Sequence, residues 1–380
     1  LKLINTICKV GKYEMNVIIR FKENLEHLPD NVRLHEQITK IKTRKSFIKI
    51  PAYIFLHLTF FLYIKYGKLF SFLISKKRIS VLNLYKESDL IISSPGGFFE
   101  DSNFSYYVNI FQLYLGVLLK KRIIIAPQSI GPIKSNIGKF FLKYILKNVE
   151  HIFVRETYSY NFVINELMIE AEKITLTSDM AFLLKDIDFS SEFETDYMYN
   201  YSTVVNWSFP MSNNVLESRN NYVRSMQKFY QYIYNKYGRK TVLLNQVASD
   251  LPIAYDIASN HEDFIIVDET SYTPNEMIKK IQNSDIFVGT RFHSCIFAML
   301  GNSPFIAISY LPKTDGILNY MDLNDYLISV YDISDTKLIQ MYEHIKENKN
   351  NIKKEIYKKV LNQQKENLFY LYLLKYIEKK

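Results

Sequence analysis

Ser284-Asp-Ile-Phe-Val-Gly-Thr-Arg-Phe-His-Ser-Cys-Ile-Phe-Ala-Met-Leu-Gly-Asn-Ser-Pro-Phe-Ile-Ala-Ile-Ser-Tyr-Leu-Pro-Lys313 reads as strand, tight turn, helix and strand. A short apolar run over 285–288 stops at Gly289, and 292–300 continues with helical spacing until Gly301 closes it. Arg291 and His293 fall at the turn, at the start of the helix. The free N–H groups and positive dipole end of a helix favour an anion. An arginine fork and an imidazole beside them add charge-assisted hydrogen bonds to phosphate or carboxylate. Taken alone, the two residues are better read as an arginine paired with a carboxylate and a satisfied helix-start histidine. The rest of the chain shifts that balance.

Outward from this unit the same alternation of short strands and amphipathic helices fills most of the chain, the signature of parallel βαβ units. Strands are expected over 89–94, 122–126, 151–154 and 173–177, with helices over 103–119, 135–148 and 156–168. The pattern restarts with a strand over 203–207, a helix over 215–237, a strand over 241–245, a helix over 251–259 and a strand over 264–267. Thr273-Pro-Asn-Glu276 then opens a helix as a capping box with proline at its first position. The acidic stretch with Asp186, Asp188, Glu192, Glu194 and Asp196 breaks the periodicity and reads as a linker. A length of 380 residues exceeds what one core supports, so two domains are expected. The expected fold is α/β: a Rossmann-like domain over 1–185, a linker over 186–200, a second Rossmann-like domain over 201–335 and C-terminal helices over 336–380. A cleft between the domains, beyond the carboxyl ends of the strands, is the expected ligand site.

The formal net charge of +9 favours anionic partners, whether nucleic acid, a phosphorylated small molecule or a membrane surface. The basic residues are spread along the chain and no nucleic-acid motif occurs, so nucleic acid is not expected. Cys8 and Cys295 lie outside any metal-ligand spacing, and reduced thiols in a cytoplasmic protein without a metal site are the expectation. The apolar pieces at 3–10 and 17–19 are too short for a secretory h-region. Ile54-Phe-Leu-His-Leu-Thr-Phe-Phe-Leu-Tyr-Ile64 lies between Lys40, Lys42, Arg44, Lys45 and Lys65, Lys68, Lys76, Lys77, Arg78. It is shorter than the roughly 20 residues of a membrane span. Two readings stay open for it: a basic, aromatic helix pair in the membrane interface, or a buried helix with a solvated lysine rim.

Several strand ends carry chemistry. The strand over 89–94 runs into Pro95-Gly-Gly-Phe-Phe-Glu-Asp101, where Gly96 and Gly97 let the backbone approach a ligand and Glu100 and Asp101 set carboxylates beside it. A plain turn with Asp101 or Ser102 as N-cap is the commoner use. The next strand ends in Ala126-Pro-Gln-Ser-Ile-Gly-Pro132, where Gln128 and Ser129 suit sugar hydroxyls. Arg155 ends a third strand, within reach of a ligand carboxylate or of Glu156 or Asp179.

Taken in order, Gly96 and Gly97 with Asp101, Gln128-Ser-Ile-Gly-Pro132, Val154-Arg-Glu156 with Ser159, Ser178-Asp-Met-Ala-Phe182 and Gly289-Thr-Arg-Phe-His293 with Pro304 and Ile308-Ser-Tyr-Leu-Pro-Lys313 resemble the polysaccharide pyruvyl transferase family, over about 84–323. The resemblance implies two Rossmann-like domains of the GT-B type. It also implies transfer of the pyruvyl group of phosphoenolpyruvate onto two hydroxyls of a sugar in a cell-surface polysaccharide precursor, giving a cyclic ketal and phosphate. No metal or organic cofactor is implied. Carried over residue by residue, it makes Arg291 and His293 ligands of phosphoenolpyruvate and Arg155 the next, with Phe292 and Lys313 beside them; of the proton donor and base the chemistry needs, His293 is assigned as the acid and Asp101 as the base. Gly96, Gly97, Glu100, Gln128 and Ser129 then face the acceptor, a lipid-linked oligosaccharide at the inner face of the cytoplasmic membrane. The glycine-, asparagine- and aspartate-rich loop with which many members begin has no counterpart before Ser88, where Asn24, His27, Asp30, Asn31 and His35 stand instead. The same fold would serve a GT-B glycosyltransferase with a nucleotide-sugar donor. A non-enzymatic basic membrane- or nucleic-acid-binding protein is a third reading.

Overall fold

A computed structural model describes residues 4, 13–19, 28–39, 46–101, 104–184, 198–206, 214–365, 367, 369, 372 and 373. The acidic linker up to 197, Cys8, Asn24, His27, Lys40 to Lys45 and most of the chain after 365 lie outside them. The chain divides into two compact units: residues up to Met180 together with those from Asn367 onward, and Ala181–Glu366. Helices over 335–365, set apart in the sequence reading, are thus part of the second unit, and the chain from Asn367 is part of the first.

In the first unit, β1 (Met15–Ile19) and β2 (Val32–Glu36) form a parallel pair of their own. The main sheet is parallel throughout. Its order is β3 (Leu90–Ser93), β5 (Arg122–Ile130), β6 (His151–Val154), β7 (Ile174–Leu176), with β4 (Gly96–Phe99) also on β5. Ile123, Ile124 and Ile125 are wholly buried, the continuous apolar run of a strand covered on both faces. Two expectations are corrected here. The paired glycines are a short strand rather than a turn, and β5 runs four residues past Ala126 because Gly96 pairs with Gln128 and Phe99 with Ile130. The helix Ser105–Leu118 covers this sheet. Its Gly116 permits the close approach, since a Cβ there would lie 2.9 Å from the Ile91 side chain and 3.0 Å from that of Ile123. The helix expected over 156–168 is one α-turn, Thr157–Asn161, followed by a π-turn, Phe162–Glu166. The helix Ser46–Tyr66 buries Leu56, Phe60 and Tyr63 in a satellite core with Leu82, Tyr85 and Phe111. Full burial of a phenylalanine such as Phe60 contributes about 1.5–3 kcal/mol.

The second unit is a six-stranded parallel sheet. Its strands are β8 (Tyr199–Thr203), β9 (Lys240–Leu244), β10 (Ile265–Asp268), β11 (Phe287–Gly289), β12 (Phe305–Ser309) and β13 (Leu327–Ser329). Their order is β10-β9-β8-β11-β12-β13, the doubly wound order whose direction of winding reverses between β8 and β11. β8 lies at 199–203, not at 203–207. Its polar residues hid it, but two of them find buried partners: the Ser202 hydroxyl lies 2.6 Å from that of Tyr230 and donates to the Val288 carbonyl at 2.9 Å, and Thr203 Oγ1 lies 2.8 Å from Ser294 Oγ. The helix Val215–Tyr237 starts where Asn214 accepts from the Glu217 amide and stops at Gly238 in the left-handed region. It packs Tyr222, Met226, Phe229, Tyr230 and Ile233 on the sheet at helical spacing. The capping box of Thr273 and Glu276 is present at the helix Pro274–Gln282. Helices Asp335–Glu347 and Lys349–Lys365 add Leu338, Tyr342, Ile345, Ile352, Ile356 and Val360 to the same core.

Candidate functional site

β11 ends at Gly289, where a Cβ would stand 3.0 Å from Cys295 Sγ and 3.2 Å from Ser294 Oγ, so only glycine lets the chain turn this tightly into the helix Phe292–Leu300. Thr290 is buried in the turn, donating its N–H to the Thr203 carbonyl and holding the Tyr222 hydroxyl at 3.1 Å. Arg291 is the N-cap residue and gives no side-chain cap to this helix, which starts at the point where the sheet order reverses. This is the place where open parallel sheets hold their ligands, and an anion at such a helix start is favoured.

Asp250 fixes Arg291. Arg291 Nε donates to Asp250 Oδ2 at 2.7 Å and Nη2 to Oδ1 at 2.5 Å, while Nη1 reaches the Tyr310 hydroxyl at 3.3 Å. Asp250 is itself held by the Asn206 amide at 2.9 Å. Burial works against the charge of Arg291, but the bonds to Asp250 and Tyr310 outweigh it and keep its pKa above the ordinary value. Three of the five N–H donors of the guanidinium are engaged, and the side chain keeps 20% exposure, which leaves donors to present. His293 is exposed one step along the helix, its ring edge-on to Phe292 with centroids 5.2 Å apart and stacked with Phe297 at 6.3 Å. Phe292 is buried in the core. Lys313 enters from the end of β12; its Nζ lies 6.0 Å from the Tyr310 ring, and the Arg291 guanidinium 5.9 Å from the same ring. Burial pushes the Asp315 carboxyl up, against a hydrogen bond from Ser309. Burial pushes the Cys295 thiol up to about 12, so it packs and does not act as a nucleophile.

The strand ends of the first unit are closed. Arg155 is 3% exposed; its Nη1 donates to Asp179 Oδ2 at 2.6 Å and its Nε to Ser129 Oγ at 2.9 Å. A Cβ on Gly97 would meet Arg155 Nη2 at 3.2 Å, so the glycine is there for the arginine. Gln128 is buried, its amide nitrogen donating to the Ser94 carbonyl and its Oε1 without a partner among the described residues. Gly97 is exposed, while Gly96 and Glu100 are half-buried. Asp101 does not cap the helix after it. Its carboxylate accepts the Lys134 amide at 2.9 and 3.1 Å and the Ser135 amide at 2.7 Å, so it anchors the chain that leads into the helix Asn136–Asn148. Burial raises the pKa of Glu156, against hydrogen bonds from Ser159. Among the described residues no group of three or more His, Cys, Asp or Glu is placed to hold a metal ion.

Arg291, His293 and Lys313 are therefore gathered at one place in the second unit, and Gly97, Gln128, Ser129 and Arg155 at one place in the first. Asp250 and Tyr310 belong to the former cluster and were not singled out from the sequence. Asp250 is 41 positions from the arginine it holds and stands just before a proline-containing helix start, where an aspartate reads as a cap.

Comparison with solved structures shows the fold. TcCGT1 in complex with UDP matches at TM-score 0.56 and 9% identity, over all of this chain and 95% of that one. The UDP-GlcNAc 2-epimerase of Neisseria meningitidis bound to UDP-GlcNAc matches at TM-score 0.53 and 12% identity, over 93% and 90%. Anabaena Alr3699/HepE in complex with UDP and glucose matches at TM-score 0.52 and 9% identity, over 92% and 85%. The fold class is α/β with two Rossmann-like units, of the GT-B type. The sequence itself matches the family described as polysaccharide pyruvyl transferase over residues 25–312, a range that takes in the first cluster and, of the second, Asp250, Arg291, His293 and Tyr310. With three quarters of its length inside that match, the chain belongs to the polysaccharide pyruvyl transferase family.

Proposed function

We propose that this protein moves the pyruvyl group of phosphoenolpyruvate onto two hydroxyls of one sugar in a cell-surface polysaccharide precursor, forming a cyclic ketal and releasing phosphate. The observation that carries the reading is the presentation of Arg291. The Asp250 carboxylate grips one edge of its guanidinium, leaving the remaining donors beside the uncapped helix start, exposed His293 and Lys313. Phosphate and carboxylate, the two anionic groups of the donor, are what two cations and a helix N-terminus bind. His293 delivers a proton to the enol methylene, which becomes the methyl group. The first sugar hydroxyl adds to C2, phosphate leaves C2 with its bridging oxygen, and the second hydroxyl closes the ketal. Of the two hydroxyl protons lost, one replaces that given by His293 and the other leaves with phosphate.

Phe292, in the core, serves by fixing the turn. Arg155 acts as a positioning residue for Ser129 and the Gly97 backbone, and Asp101 as an anchor of the same region. Gly96, Gly97, Glu100, Gln128 and Ser129 are assigned to the acceptor. That acceptor is lipid-linked, which places the enzyme in the cytoplasm, in peripheral contact with the inner face of the membrane. No cofactor is assigned beyond the donor substrate.

The reading is tested by phosphate release from phosphoenolpyruvate with a panel of synthetic and lipid-linked galactosides, mannosaminides and glucosaminides, with mass spectrometry of each acceptor. One acceptor gains a single pyruvyl ketal. The fold neighbours bound to UDP favour one alternative, a nucleotide-sugar glycosyltransferase. It takes over if no acceptor changes and a nucleotide sugar, but not phosphoenolpyruvate, raises the melting temperature.

A further inference from the structure

Lys and Arg are spread along the chain, but their excess over Asp and Glu is not. Residues 37–86 hold eleven of the 48 Lys and Arg and none of the 39 Asp and Glu, so the rest of the chain has 37 basic against 39 acidic side chains. The whole net positive charge belongs to this one segment. The same segment carries the helix Ser46–Tyr66 and the 3-10 turn Gly67–Leu73. While Leu56, Phe60 and Tyr63 face the core, Ile54, Phe55 and Leu58 form an outward stripe at 66, 58 and 53% exposure. Leu69 and Phe72 continue it at 71 and 78%. Large apolar side chains this exposed, clustered and next to one another in the chain, mark an interaction surface. Exposed Lys65 lies 5.2 Å from the Tyr66 ring centre, and Lys76 and Lys77 follow at the start of the next helix. No helix among the described residues is long and apolar enough to cross a membrane.

We propose that the helix Ser46–Tyr66 and the turn Gly67–Leu73 lie flat on an anionic lipid surface. Phe55, Leu58, Leu69 and Phe72 enter the boundary between headgroups and acyl chains, and the lysines around them meet lipid phosphates. The segment has eleven cations and no carboxylate of its own, with Glu36 just before it paired to Lys77, which is complementary to an anionic bilayer, and exposed apolar side chains suit a fluid one. The inference rests on the membrane contact proposed above and names the surface and the lipid charge; it does not depend on the pyruvyl chemistry.

The test is flotation of the 380-residue chain with vesicles of phosphatidylcholine alone, or of phosphatidylcholine and phosphatidylglycerol in equal parts. The wild type floats with the anionic vesicles only, and salt releases it. The triple variant Phe55→Ser/Leu69→Ser/Phe72→Ser loses flotation by about tenfold or more, yet keeps the wild-type melting temperature and its phosphate release with a water-soluble acceptor. A control variant, Ile137→Ser/Phe140→Ser, changes two side chains that are each 67% exposed on another helix, and floats like the wild type. The proposal is overturned by a wild type that floats with neither vesicle or equally with both, by a triple variant that floats undiminished, or by loss confined to the control. Flotation as described without phosphate release counts against the pyruvyl chemistry and leaves the docking surface standing.

Discussion

Each unit of this protein holds an arginine just past a strand of its parallel sheet, gripped by an aspartate, and the two pairs differ in what they leave over. In the first unit Arg155 and Asp179 are 3 and 5% exposed, and the arginine also bonds Ser129 and lies against the Gly97 backbone. In the second, Asp250 is 6% exposed but Arg291 keeps 20%, at a helix start with no side-chain cap. The lesson is that a strand-end arginine is not by itself a ligand-binding group. One buried to 3% exposure with its partners inside the fold is a brace. One gripped along a single edge is a presented cation, and its aspartate holds the guanidinium still so that less order has to be imposed when an anion arrives.

The comparison can be broken most directly at His293. His293→Ala lowers phosphate release by roughly 100- to 10,000-fold, the usual range for losing a general acid. Its melting temperature stays at the wild-type value because the ring is exposed. Equal loss of stability and activity would show that the second cluster is a brace too. Arg155→Ala has the opposite profile. Removing one partner of a buried pair costs about 3–5 kcal/mol in denaturant unfolding, since Asp179 loses its buried cation. Turnover per folded molecule under stabilising conditions falls far less than in the His293 variant.

A third cluster, Asp285 with Arg239, Lys346 and Lys349, sharpens the contrast at the other end of the second sheet, just before β11. Burial alone would raise the pKa of Asp285, but bonds from Lys349 and Lys346 and the charge of Arg239 outweigh it and hold the carboxyl well below the usual carboxylate range. A depressed folded pKa contributes stability that is full above the unfolded value of about 3.9 and is lost as the pH falls below it. Unfolding measured from pH 5 downward therefore shows a loss of up to about 1.4 kcal/mol per pH unit that Asp285→Asn lacks. Superimposable pH slopes for the two proteins would remove the brace reading of this third cluster.

Much of this arrangement was legible in the sequence, for local reasons. Helix ends announced themselves where short-range chemistry makes them: Asn214 and Gly238 around one helix, Thr273 with Glu276 at another, Gly289 and Gly301 around the arginine turn. What was not legible depended on partners far along the chain. The glycines at 96 and 97 are poor strand formers and read as a turn, yet pairing with Gln128 and Ile130 makes them β4. The polar run Tyr-Asn-Tyr-Ser-Thr at β8 lacks an apolar pattern, and the Ser202 and Thr203 hydroxyls that end it are satisfied by Tyr230, Val288 and Ser294. For the site, Arg291 and His293 were visible as residue types at a helix start. Asp250, which turns the first of them into a presented cation, was hidden by sequence distance alone. The anchoring of Asp101 by the backbone amides of Lys134 and Ser135 was also not legible, since they lie more than thirty positions along the chain.

The first unit is closed by residues from the other end of the chain. Phe369 and Leu373 are buried in it, Phe369 edge-on to Phe153 at 5.0 Å, Tyr372 stacked on His151 at 5.0 Å, and Asn367 donating to the Ser178 hydroxyl at 3.0 Å. On the ribosome the order of birth and the order of completion are therefore reversed. The second unit, contiguous over 181–366, has its whole sequence before the first has received its last aromatic wedge. The sheet of the first unit waits, with the flank of β6 uncovered, until Phe369 and Tyr372 have been made.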